Sequence, residues 1–137
     1  TDALCELAAS EVCDVLAHPD LAKVAGHRPG APEERYDRMA EAAAAHHMAA
    51  EVSSAGWRKP AGEAYPAPPL LARFRARDVP VTTASDAHGL ADVADRSADL
   101  ARTVRDAGYR QLCGFAGRQR VAAEIEGAAE AVPGGAD

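Results

Sequence analysis

Three short apolar runs, each separated from the next by a helix-length stretch, do most to limit what this chain can fold into. Val12-Cys13-Asp14-Val15-Leu16-Ala17, Met48-Ala49-Ala50-Glu51-Val52-Ser53 and Val79-Pro80-Val81-Thr82-Thr83-Ala84 have the length and content of buried strands. Residues 33–47 are alanine-rich and begin with Glu33 and Glu34, whose carboxylates suit the positive end of a helix dipole. Pro68 and Pro69 can open a further helix, where a missing N–H costs nothing, and Leu70, Leu71 and Phe74 give it an apolar side. Residues 90–107 read as another helix, stopped by Gly108, and 111–115 as a last short strand. A basic turn at Gly117, Arg118 and Arg120 and a short helix over 121–125 complete the pattern. Strands alternating with helices predict an α/β fold of parallel βα units. In such folds all strands end on one side of the sheet, and functional sites gather there.

The residues just past each strand are therefore informative. The third strand runs directly into Ser85-Asp86-Ala87-His88. Side chains two apart on an extended chain share a face, so Asp86 and His88 can turn toward one point. A carboxylate with an imidazole is a mixed donor set favoured by divalent transition metals. The first strand ends in the same manner, at His18-Pro19-Asp20. The second leads into a loop, 54–66, that carries Gly56, Trp57, Arg58, Lys59 and Pro60. An arginine there matches phosphate oxygens with a bidentate fork. Each of these residues also has a plain structural reading. Asp86 can cap a turn with His88 at the surface, His18 can be a turn residue, and Arg58 with Lys59 a solvated basic turn. Their shared position on one rim favours the functional reading. Trp57 either walls a pocket or packs its loop down. Asp20 reads as a turn cap, His27 as a loop residue, His46 and His47 as helix-closing residues, and Arg118 and Arg120 as solvated.

The chain's 137 residues fit one compact domain or a piece of a larger one. With 15 Lys+Arg against 21 Asp+Glu, the formal charge of -6 argues against a nucleic-acid binder, which needs a cationic face. A small phosphorylated substrate needs only one or two local cations and remains compatible. No apolar run approaches the ~20 residues of a membrane span, and no secretory signal opens the chain. The 3 cysteines, Cys5, Cys13 and Cys113, form neither a disulfide framework nor a C-x-x-C pair. Reduced thiols in a cytoplasmic protein are the expectation. The chain begins at Thr1 within a helical pattern (Ala3, Leu4, Leu7, Ala8), which predicts that a natural N-terminal portion is lacking. Residues 127–137 are expected to be a disordered tail.

Taken in order, several segments resemble the C-terminal half of a PHP-family (polymerase and histidinol phosphatase) phosphoesterase. They are Asp14-Val15-Leu16-Ala17-His18-Pro19-Asp20-Leu21, Glu51-Val52-Ser53-Ser54-Ala55-Gly56-Trp57-Arg58-Lys59-Pro60, Glu63-Ala64-Tyr65-Pro66, Val81-Thr82-Thr83-Ala84-Ser85-Asp86-Ala87-His88 and Ala107-Gly108-Tyr109-Arg110. The Gly-x-Arg-Lys-Pro loop is similar to the histidinol-phosphatase branch in particular. The resemblance implies the C-terminal half of a distorted (β/α)7 TIM-like barrel over residues 1–126, with divalent metals (Zn2+, Mn2+ or Fe2+) at its C-terminal rim. It implies hydrolysis of phosphomonoesters, in this branch L-histidinol phosphate to L-histidinol in histidine biosynthesis. His18, Asp86 and His88 match ligand positions of the family, and Arg58 falls in a loop that would face the phosphate. The family's opening His-x-His is absent, as are the glutamate and histidine expected upstream of His18, and Ser53-Ser54-Ala55-Gly56 stands where many relatives carry an Asn-Thr-Ser-Gly-like stretch. Only part of the ligand set is thus present, and this chain alone is expected to be inactive. Two other readings stand beside this one: a non-catalytic half-barrel serving binding or assembly, and a PHP esterase for another phosphate ester such as a nucleotide. Open sheet edges in a half-barrel also predict self-association.

Overall fold

The three apolar runs form one parallel sheet in a computed structural model that describes residues 1–28, 30 and 32–125. Its strands are β1 (Val15–Leu16), β2 (Ala49–Ser53) and β3 (Val81–Ala84), in the order β1-β2-β3. Val15 lies opposite Ala49 and Leu16 opposite Ala50, while Glu51 faces Thr82 and Ser53 faces Ala84. The central strand is buried except at Glu51, which is only partly covered. Parallel strands flanked by helices bury both faces, which accounts for the near-continuous apolar run.

Among the described residues four α-helices accompany the sheet: α1 (Asp2–Ser10), α2 (Glu33–Ala45), α3 (Pro68–Ala76) and α4 (Ser97–Asp106). Leu16, Val52, Leu70, Phe74, Val81 and Val104 meet in one core. Helix α2 packs between α1 and α3. The Tyr109 hydroxyl, buried at the end of α4, donates to the Val79 carbonyl at 3.0 Å and fastens that helix to the start of β3. An apolar cavity of about 690 Å³ opens between α1, α2 and the loop after β1, lined by Leu4, Leu7, Val15, His18, Tyr36 and Met39. Among the described residues no helix is long and apolar enough to cross a membrane.

The structure corrects three expectations. The first strand shrinks from six residues to two: Asp14 spends its side chain on Arg118, and among the described residues β1 has a neighbour on one side alone. The helix expected over 90–107 breaks into a 3-10 turn, Leu90–Asp92, and α4, with Ala94 and Arg96 at φ 57 and 56 between them. Lastly, 111–115 does not extend the parallel sheet. It becomes β4 (Gln111–Ala116), which folds back antiparallel on β5 (Gln119–Glu124), so the helix expected over 121–125 is a strand. Gly117 and Arg118, with φ 54 and 64, form a two-residue turn whose twist suits a tight hairpin. The expected tail over 127–137 lies outside the described residues.

Candidate functional site

His18 follows the end of β1 with φ 31, in the left-handed region, and its carbonyl accepts from Leu21 N at 2.9 Å. The turn it opens is anchored from below by Asp20. One oxygen of that buried carboxylate, Oδ2, accepts from the backbone N–H of Ala67 at 2.7 Å and from Lys23 Nζ at the same distance. Lys23 is itself 5% exposed and donates also to Glu63 Oε1 at 2.9 Å and the Ala64 carbonyl at 3.0 Å. Arg28 completes the group with a 2.6 Å contact to Glu63. Asp20 is therefore a tertiary tie between the loop after β1 and the start of α3, more than the turn cap its sequence suggests.

Glu51 is the residue that motif reasoning passed over. It projects from the central strand, and its carboxyl lies above the ordinary value because burial opposes its charge; the His18 imidazole and backbone N–H pull it down, and the Asp86 carboxylate pushes it up. Both residues that end the outer strands thus act on one carboxyl of the middle strand. Three buried polar atoms among the described residues lack a hydrogen-bond partner: Asp20 Oδ1, Glu51 Oε1 and the Tyr65 hydroxyl. Tyr65 is also raised, by burial first and then by the charges of Asp20 and Asp86. The signal available in the sequence was Glu51 itself, a charged residue inside an otherwise apolar run.

Arg58 belongs to the 3-10 turn Ser54–Arg58 that succeeds β2. Its Nη1 donates to Asp95 Oδ2 at 3.0 Å, and its Nη2 to the carbonyls of Ser85 at 2.6 Å and Asp86 at 3.3 Å. Asp92 Oδ1 lies 3.5 Å from Nε. The guanidinium is thus beside Asp86 with its fork engaged by protein. Trp57, next to it, packs against the core and carries the Arg96 guanidinium 4.7 Å from its ring centroid. Asp86, at φ 49, and His88 are exposed. Arg118 is far from this rim in the fold, forking Asp14 before β1 at 3.0 Å to each oxygen.

His18 and Asp86 both act electrostatically on the Glu51 carboxyl, and Arg58 holds the Asp86 backbone, whereas His88 stands out in solvent. Among the described residues no group of three or more His, Cys, Asp or Glu side chains is placed to hold a metal ion. The donor chemistry of His18, Glu51 and Asp86, with one buried oxygen of Glu51 unpartnered, suits a divalent cation. The number of converging donors does not close a shell, so the fit is partial.

No protein-family model matches the chain. A curated relative does, a protein of Deinococcus radiodurans named "Probable histidinol-phosphatase", 39% identical over 105 residues. That match covers 77% of this chain, which spans 40% of the relative's length. The matched stretch supports assignment of the chain to the histidinol-phosphatase (PHP) family.

Proposed function

We propose that this chain forms part of a metal-dependent phosphomonoesterase, acting on L-histidinol phosphate to give L-histidinol in cytoplasmic histidine biosynthesis. The observation that carries the reading is the flanking of Glu51 by His18 and Asp86 at the C-terminal ends of parallel strands, in a chain similar to a probable histidinol-phosphatase. His18 and Asp86, with the unpartnered oxygen of Glu51 and with His88 once it turns inward, would hold Zn2+, Mn2+ or Fe2+ together with further donors. When bound, such ions lower the pKa of a coordinated water and stabilise negative charge on phosphoryl oxygens.

The chain's own side chains set the stage for that chemistry. Asp20 and Lys23 hold the His18 turn in place, and the partly buried Glu51 keeps a negative group between the two outer strands. Arg58 adds positive charge beside the position a phosphoryl group would take. The partial donor set accounts for a chain inactive by itself, and the open outer side of β1 offers a route to association with further barrel strands.

The test is phosphate release from L-histidinol phosphate with Mn2+ or Zn2+ present. It is measured on this chain alone and on the chain mixed with the complementary part of the Deinococcus radiodurans relative. Turnover is expected only in the mixture and should vanish with Asp86→Ala. Turnover indifferent to Asp86→Ala would remove the assignment, and a preference for nucleoside monophosphates would move the substrate.

A further inference from the structure

We infer that Arg58 is a positioning residue: it latches the segment carrying Asp86 and His88 onto the end of β2 and so fixes where the Asp86 carboxylate stands. The inference rests on reading this rim as a divalent-cation site. Its first support is the burial pattern beyond β3. From Asp86 to Ala98 no residue is buried, and Leu90 is 94% exposed. Within that stretch only Asp92 and Asp95 are partly covered, and both are partners of Arg58. A segment with no apolar anchor of its own is held by whatever polar contacts it makes.

The second support is the direction of the contacts. Arg58 Nη2 donates to the Ser85 and Asp86 carbonyls, at the point where Asp86 takes φ 49. A non-glycine residue in the left-handed region costs conformational energy and persists where its surroundings hold it. One planar fork therefore grips the segment at both ends, at Ser85-Asp86 by its carbonyls and at Asp92 and Asp95 by their carboxylates. The Ser85 hydroxyl accepting from Ala94 N at 3.3 Å and the stacking of Arg96 on Trp57 close the same loop. Lysine has a point charge in place of a fork and cannot reproduce this set.

Arg58→Lys keeps the positive charge but not the fork, so it separates a positioning role from a purely electrostatic one. Charge alone leaves Mn2+ affinity near the parent's in Arg58→Lys, whereas loosening a ligand's support weakens it, typically by about 10–100-fold. The experiment uses the whole chain with Arg58→Lys and Asp95→Asn. It reads hydrogen exchange at the amides of Asp92, Val93, Ala94 and Asp95, and Mn2+ affinity by calorimetry. Both variants should exchange at least about tenfold faster in that segment, with the β2 and β3 amides unchanged. Arg58→Lys should bind Mn2+ about 10–100-fold more weakly. Unchanged protection in both variants overturns the latch. Faster exchange with equal or tighter Mn2+ binding overturns its link to Asp86. An unaltered chain that binds no Mn2+ overturns the metal reading instead, and the latch then stands or falls on the exchange data.

Discussion

Lys23 Nζ lies 2.7 Å from Asp20 Oδ2, with the two side chains 5% and 7% exposed. Glu63, a second acceptor for the same ammonium, is in turn held by Arg28. Replacing Lys23 by Met leaves the Asp20 carboxylate buried without a countercharge, and breaking such a pair costs roughly 3–5 kcal/mol. Urea unfolding of Lys23→Met should show a loss of that order, and adding Asp20→Asn should recover part of it. A single variant as stable as the parent would show the pair to be idle.

Glu63 fixes how this group responds to acid. Burial pushes its carboxyl up, but the hydrogen bonds and charges of Lys23 and Arg28 outweigh burial and hold it below the ordinary 4.5. A folded-state pKa below the unfolded one means the stabilisation is complete above the unfolded value. It drains away as pH falls through the folded value. Glu63→Gln should therefore lose stability at pH 7, and the gap to the parent should close on acidification. A gap that stays constant down to pH 3 would contradict the assignment.

Glu51 has the opposite sign. Burial raises its carboxyl above 4.5, so the folded state is favoured at low pH and penalised once the unfolded chain ionises. In metal-free buffer Glu51→Gln should raise the melting temperature at pH 7 and leave it unchanged at pH values below 4.5. Melting curves with chelator present make the comparison, and destabilisation at neutral pH would refute it.

Gly56 fits its position because it lacks a side chain. A Cβ there would collide with the Glu63 carbonyl oxygen and stand 3.2 Å from Tyr65 Cζ. Backbone cannot move aside as a flexible side chain does, so Gly56→Ala should cost about 1–3 kcal/mol by overpacking. Gly62→Ala makes a useful contrast: nothing lies within 4 Å of its added Cβ, although φ +66 strains it. Equal stability of Gly56→Ala and the parent, by thermal unfolding, would count against the packing described.

The three parallel strands were legible because buried parallel strands are marked by apolar runs, and polar residues stop them sharply at His18 and Asp86. The hairpin was not. Val121, Ala122, Ala123 and Glu124 carry no period that separates a short helix from a strand, and the deciding feature is a turn with two positive φ values at Gly117 and Arg118. The break after Asp92 was equally hidden, since it comes with tertiary contacts from Asp92 and Asp95 to Arg58, distant in sequence. Glu51 could have been noticed, but its neighbours in space come from two other strand ends that no local spacing reveals.

The outer side of β1 has a physical corollary. With Val15 and Leu16 alone in the ladder, an incoming strand of the same polarity gains only a couple of backbone bonds there. Its grip would come instead from inserting side chains into the hollow beside Leu4, Leu7 and Met39. A strand recruited at this border would be held by shape and oiliness, so salt should barely affect such an association, while cooling should weaken it.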